Sequence, residues 1–207
     1  MPANALRSFL SEMGNDESSP EVEKILDAAL LLFADIGIQR ATIGDVASRA
    51  GVNRVTVYRR IGSKDDVIEA VVAREATRLF TEITDAARKG KAFDDRVAAS
   101  FATTVTSLRN NPILNRMLSL EAETILLRLT TQAGPLMTAA VAASMHIFDE
   151  AVEDGLIEST DDLAPRAEVL VRVVHSIVLT PQILVPLSSY DDLVAFAHQH
   201  LVPIITR

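Results

Sequence analysis

Val22, Ile25, Leu26, Ala29, Leu32, Phe33 and Ile36 fall three and four apart, the repeat that lines one face of an α-helix. The segment has matching ends. Ser19 is a capping residue, Pro20 suits the first helical position, Glu21 and Glu23 suit the positive end of the helix dipole, and Gly37 closes the run. A second short helix is expected from Thr42, with Asp45 as its capping-box partner, Ile43, Val46, Ala47 and Ala50 on its inner face, and Gly51 as its stop. Asn53 caps a third, running to about Arg60. In "GSKDD" the chain breaks and restarts, with Ser63 as cap and Asp66 at the third position. The helix that follows carries Val67, Ala70, Val71, Leu79 and Ile83 on one side and ends near Gly90.

Beyond residue 92 the pattern stays helical, over 92–109, 112–118, 119–131, 135–154, 162–180 and 189–205. Pro112, Gly134–Pro135, Gly155, Pro181 and Pro186 separate the segments. No alternating strand pattern with hairpin turns occurs. The expected fold is all-α: an N-terminal three-helix domain joined to a C-terminal helical bundle. The expected organisation is a tail over 1–18, a first domain over 19–65 and a second over 66–207.

Charge changes this picture. The chain of 207 residues has a formal net charge of −8. Yet Arg40, Arg49, Arg54, Arg59, Arg60 and Lys64 cluster within 40–64 against Asp45 alone. A basic island in an acidic protein fits one local nucleic-acid face rather than indiscriminate coating. There is no cysteine, which removes disulfides, thiol nucleophiles and thiolate metal sites. His198 and His200 stand two apart, on different helix faces, and His146 and His175 are scattered. No phosphate-cradling glycine loop or nucleophile motif is present, so neither an enzyme nor a cofactor is expected. The first 20 residues lack the apolar core of a secretory signal. The longest nearly apolar run, residues 135–148, is short of the roughly 18 residues of a membrane span. A cytoplasmic protein without a membrane partner is expected.

A helix-turn-helix needs two short helices, a tight turn and a close contact. The arrangement Ala47-x₃-Gly51-Val52-Asn53-x₃-Val57 supplies them: Ala47 allows close approach, Gly51 the left-handed turn, and Val46, Val52 and Val57 a small core. Asn53, Arg54, Val55 and Thr56 then form the first turn of the second helix, the part that meets base edges. Arg54 suits the two acceptors of a guanine, and Val55 or the Thr56 methyl a thymine methyl. Tyr58, Arg59, Arg60 and Lys64 suit phosphates, as do the hydroxyl and free amides at Thr42.

Residues 20–67 resemble the DNA-binding domain of the TetR family of bacterial transcriptional regulators, through Thr42, Ile43, Ala47, Ala50-Gly51-Val52, Tyr58 and Ser63-Lys64. The resemblance implies that Thr42, Tyr58 and Lys64 contact the DNA backbone while the first turn of the third helix reads sequence. Two departures stand out: Val55 where the family has a small residue, and Ile61 where it has an aromatic one. Past residue 67 the resemblance is architectural. It implies a homodimer built on the last two long helices and a ligand cavity among the middle ones.

The residues themselves bear on both. Ala167 to Leu179 is apolar nearly all round, so a partner subunit is one natural cover and a central place in its own bundle the other. Leu170, Val174, Ile177, Val178, Phe196 and Leu201 are the candidate dimer residues. Phe101, Met117, Leu127, Met137, Met145 and Phe148 are the candidate pocket residues, and they suit core filling equally. Arg116, Glu121, Glu123 and Arg128 are candidate polar anchors or simple surface. The expected function is a ligand-released repressor, binding a palindromic operator on double-stranded DNA as a homodimer, with a largely apolar effector. The alternative is a helical small-molecule binder or enzyme whose helix-turn-helix is incidental.

Overall fold

A computed structural model describes residues 19–120, 122–180 and 184–206. The expected tail over 1–18 and the candidate anchor Glu121 lie outside them. Among the described residues all regular structure is helical. The helices are α1 (Pro20–Ile36), α2 (Ile43–Ala50), α3 (Arg54–Arg60), α4 (Lys64–Arg88), α5 (Phe93–Arg109), α6 (Pro112–Leu120), α7 (Ala122–Leu129), α8 (Gly134–Glu153), α9 (Leu163–Leu179) and α10 (Tyr190–Phe196). A π turn (Ala197–Leu201) and a last turn, α11 (Val202–Ile205), complete the chain.

The chain forms two compact units. One holds residues 19–78 and 111–128; the other holds 79–110 and 129–206. The first unit takes in α6, which packs against α1. Ile113 of α6 is buried in the same core as Ile25, Ala29, Phe33, Ile43, Val46, Val57, Val67 and Val71, and Met117 packs against it. Arg74 of α4 adds ion pairs to Glu23 and Asp27 of α1.

The second unit is built on α5, α8, α9 and the C-terminal turns. Phe93 meets Phe148 edge-on at 5.2 Å, and Phe101 stacks on Phe196 at 5.9 Å. Ala98, Ala102, Ala151, Ala167 and Ala197 are fully buried there, and small residues at such contacts let helix axes approach closely. Arg96 pairs with Asp154, and Arg88 with Glu150. Leu193, Ala197, Leu201 and Ile205 all face this core. Residues spaced by four drift about 40° per step around a regular α-helix. The π turn takes up that drift and holds all four on one face. Pro203 lies just past it and cannot donate a backbone hydrogen bond into the preceding turn.

Candidate nucleic-acid interface

Four local caps set the helices around the basic island. Ser19 accepts a hydrogen bond from the amide of Val22 at the start of α1. At α2, Thr42 and Asp45 form a reciprocal capping box: the Thr42 hydroxyl accepts from the Asp45 amide, and Asp45 accepts from both the amide and the hydroxyl of Thr42. At α3, the Asn53 side chain accepts from the Thr56 amide at 2.8 Å. Gly51 sits between the helices at φ 67°, ψ 31°, the left-handed conformation, and its amide and that of Val52 close the end of α2 on Ala47. Ala47 and Val57 are buried beneath the turn. Ser63 and Asp66 cap α4 in the same reciprocal way.

Hydrogen bonding also sets the electrostatics. The Thr42 hydroxyl and amide hold the Asp45 carboxyl below its ordinary value, and the nearby Arg54 charge adds to the effect. The Ser63 hydroxyl and amide do the same for Asp66. Both carboxylates therefore remain charged at neutral pH beside the basic residues.

The structure sorts the expected DNA-binding residues into two groups. Asn53, Arg54, Val55, Tyr58 and Arg59 are exposed, and Arg54 and Arg59 make no ion pair with a described residue. Val55 is 71% exposed and Tyr58 58%, an unusual placement for large apolar side chains. Lys64 is half-buried and donates to the backbone carbonyl of Gln39 at 3.0 Å, which braces the turn after α1.

Three of the expected contact residues are already engaged or covered within the protein. Thr56 is only 9% exposed, and its hydroxyl donates inward to Asn53, so its methyl is withdrawn from the surface. Arg60 pairs with Glu21 of α1 at 2.7 Å, so its charge already has a partner within the protein. The Thr42 hydroxyl is committed to Asp45 at 2.6 Å rather than standing free for a phosphate. Arg49, likewise, pairs with Asp35.

Sequence reasoning passed over Gly44. A Cβ built there would lie 2.4 Å from Arg54 Nη2 and 2.8 Å from its Cζ and Nε. The Arg54 guanidinium thus occupies the space a side chain at 44 would fill. The available signal was a glycine inside a short, well-capped helix, where it is disfavoured by about 1 kcal/mol relative to alanine.

The candidate pocket residues divide between the two units. Met117 belongs to the core of the first unit, and Leu127 is exposed. Phe101 and Phe148 are buried core of the second unit, Met145 packs against that core, and Met137 is half-buried. Glu123 and Arg128 are exposed and Arg116 half-buried. Of the candidate dimer residues, Leu170 and Leu201 are corrected to internal core. Val174, Ile177 and Phe196 are partly buried against that core, and Val178 is half-buried. His175 sits with Nε2 at hydrogen-bond distance from the Leu129 carbonyl oxygen. Among the described residues no group of three His, Cys, Asp or Glu is placed to hold a metal ion, and no helix is long and apolar enough to cross a membrane.

Comparison with known proteins agrees with this geometry. Residues 25–71 match the bacterial regulatory proteins, tetR family. The chain is 34% identical over 92 residues to the uncharacterised HTH-type transcriptional regulator MT1294 of Mycobacterium tuberculosis (strain CDC 1551 / Oshkosh), which is 44% of this chain and 46% of that protein. It is 27% identical over 172 residues to the HTH-type transcriptional regulator AlkX of M. tuberculosis (strain ATCC 25618 / H37Rv), 82% of this chain and 78% of that one. The chain therefore spans just under half the length of MT1294 and more of AlkX. The crystal structure of the TetR family repressor AlkX from Dietzia sp. strain DQ12-45-1b shares the fold, with a TM-score of 0.63 at 21% identity over 92% of this chain and 97% of that one. Residues 25–71 thus carry the helix-turn-helix of the tetR family of bacterial regulatory proteins, on an all-helical fold shared with a TetR family repressor.

Proposed function

We propose that this protein is a transcriptional repressor that binds a palindromic operator as a homodimer and is released by a small, largely apolar molecule. The observation that carries the reading is the capped helix-turn-helix whose exposed side gathers Val55, Tyr58 and Arg59, within a basic stretch of a chain that is acidic overall. Such a face suits the major groove, with cations on phosphates and apolar groups on base edges. Two copies related by a two-fold axis would meet two half-sites about one helical turn apart.

Two further features support the finer parts. Val174, Ile177, Val178 and Phe196 are incompletely covered within one chain, which suits a symmetric partner. The core of the second unit is rich in phenylalanine and alanine, with Met145 packed against it, and such apolar material suits an apolar effector. The Dietzia AlkX is a repressor implicated in biodegradation of n-alkanes. An effector acts only by preferring one of two arrangements, and α4, which contributes residues to both units, is the natural carrier of the difference. A coupling of about 3 kcal/mol weakens DNA binding roughly 150-fold.

The test is selection of duplexes from random DNA followed by titration over a salt series. Enrichment of a palindrome, with Arg59→Ala weakening all duplexes alike and flattening the salt slope by about 0.9, is the expected result. Weak binding without sequence preference would end the regulator reading.

A further inference from the structure

We infer that Gly44 and Val55 together set which base this protein reads: Gly44 leaves room for the Arg54 guanidinium to lie back along α2, away from the groove, and Val55 takes its place against the 5-methyl group of a thymine. The inference rests on the operator-binding reading and names the recognition chemistry of that site.

Three observations meet here. The guanidinium of Arg54 lies over the Gly44 backbone, where a Cβ would come within 2.4 Å of Nη2, and its charge acts on the neighbouring Asp45 carboxylate. A guanidinium in that position is turned back along α2 and is not extended from the tip of α3. Thr56 is turned inward to Asn53, which withdraws the other methyl on this turn. Val55 is left as the apolar group of the first turn of α3, exposed to solvent, with Tyr58 one turn on along the same side. A valine carries no hydrogen-bonding group and cannot read a guanine or an adenine edge. The apolar feature of the major groove is the thymine methyl, which distinguishes T·A from the other pairs. Basic residues around the valine supply attraction to phosphate, so the apolar group is carried into the groove rather than into a protein or lipid partner.

Gly44 acts through Arg54 and is a positioning residue. Alanine favours the helix at this position, so Gly44→Ala keeps the fold while its methyl expels the guanidinium.

The experiment scans the selected operator with deoxyuridine in place of each thymine, which deletes one methyl and nothing else. Wild type should lose about three- to fivefold affinity at one position per half-site, the value of one buried carbon. Val55→Ala should be weaker on the thymine duplex and indifferent to that deoxyuridine. Arg54→Ala should lower affinity for all duplexes alike, without relaxing any base pair. Gly44→Ala should gain a guanine preference at one position, and Gly44→Ala/Arg54→Ala should lose it again. The inference is overturned if wild type selects an operator but no thymine methyl depends on Val55, or if Arg54→Ala alone relaxes a guanine in it. If wild type selects no operator at all, the operator-binding reading fails and carries this inference with it.

Discussion

Arg60 of α3 and Glu21 of α1 are joined by an ion pair, Nε to Oε2, at 2.7 Å. The two residues stand 39 positions apart, and their contact ties the third helix to the first. Arg59, its neighbour in sequence, has no such partner among the described residues. Adjacent arginines therefore have different duties, one spent inside the protein and one open to a phosphate.

The difference is measurable. Arg60→Ala should cost no more than about 1 kcal/mol of stability, because both partners are partly exposed and screened by solvent. It should leave the salt dependence of DNA binding unchanged. Arg59→Ala should do the reverse, leaving the urea midpoint in place and reducing the salt slope by about one phosphate contact.

Gly51→Ala tests the turn. Nothing lies within 4 Å of a Cβ added there, so any loss comes from the backbone alone, held at φ 67°. Urea unfolding should report a loss of about 1–2 kcal/mol. A neutral result would show that the turn can close in another conformation.

Acid should weaken the starts of α2 and α4. The folded pKa values of Asp45 and Asp66 lie below the ordinary 3.8, each held down first by the side-chain hydroxyl of its cap. A depressed carboxyl contributes stability above its unfolded value, and that contribution disappears as pH falls below 3.8 through the folded value. Thr42→Ala and Ser63→Ala should each lower stability at neutral pH and make it less steep in acid. Urea midpoints measured between about pH 2 and pH 5 check both, and parallel curves for variant and wild type would remove the assigned cause.

Leu170 and Val178 separate internal packing from assembly on the same helix. Leu170→Ala should destabilise the fold by about 2–5 kcal/mol, since it empties part of the core. In the proposed homodimer, Val178→Asp should keep helicity and halve the mass seen by sedimentation. A wild type that sediments as a monomer, or a Val178→Asp variant that stays dimeric, would remove this helix from the proposed interface.

What could be read from the sequence was local. Ser19, the Thr42–Asp45 box, Asn53 and Gly51 each act within a few residues, so their chemistry is written in spacing, and the structure places each cap as expected. The all-helical fold followed from the same periodicity. Contacts between distant residues were not legible. The pattern of α6 marks an apolar face but does not say that Ile113 and Met117 join the core of α1. The apolar girth of α9 left two covers open, and Leu170 turned out to face its own bundle. Arg59 and Arg60 both read as phosphate contacts, but charge does not tell which arginine is already paired within the protein. Nor did spacing show that the Thr56 hydroxyl donates to Asn53, three residues back in its own cap.

The π turn at Ala197–Leu201 absorbs one residue more than an ordinary α turn. Deleting one residue inside it should restore an α turn and leave Val202 and Ile205 facing the interior. Winding the same five residues as an α turn would instead carry everything after them round by about 100°, the angle of one residue. Val202 and Ile205 would then swing out of the interior, and Ile204, now facing solvent, would swing toward it. The phase of the last turn therefore depends on where a residue is lost, and the π turn is the place where its loss is tolerated.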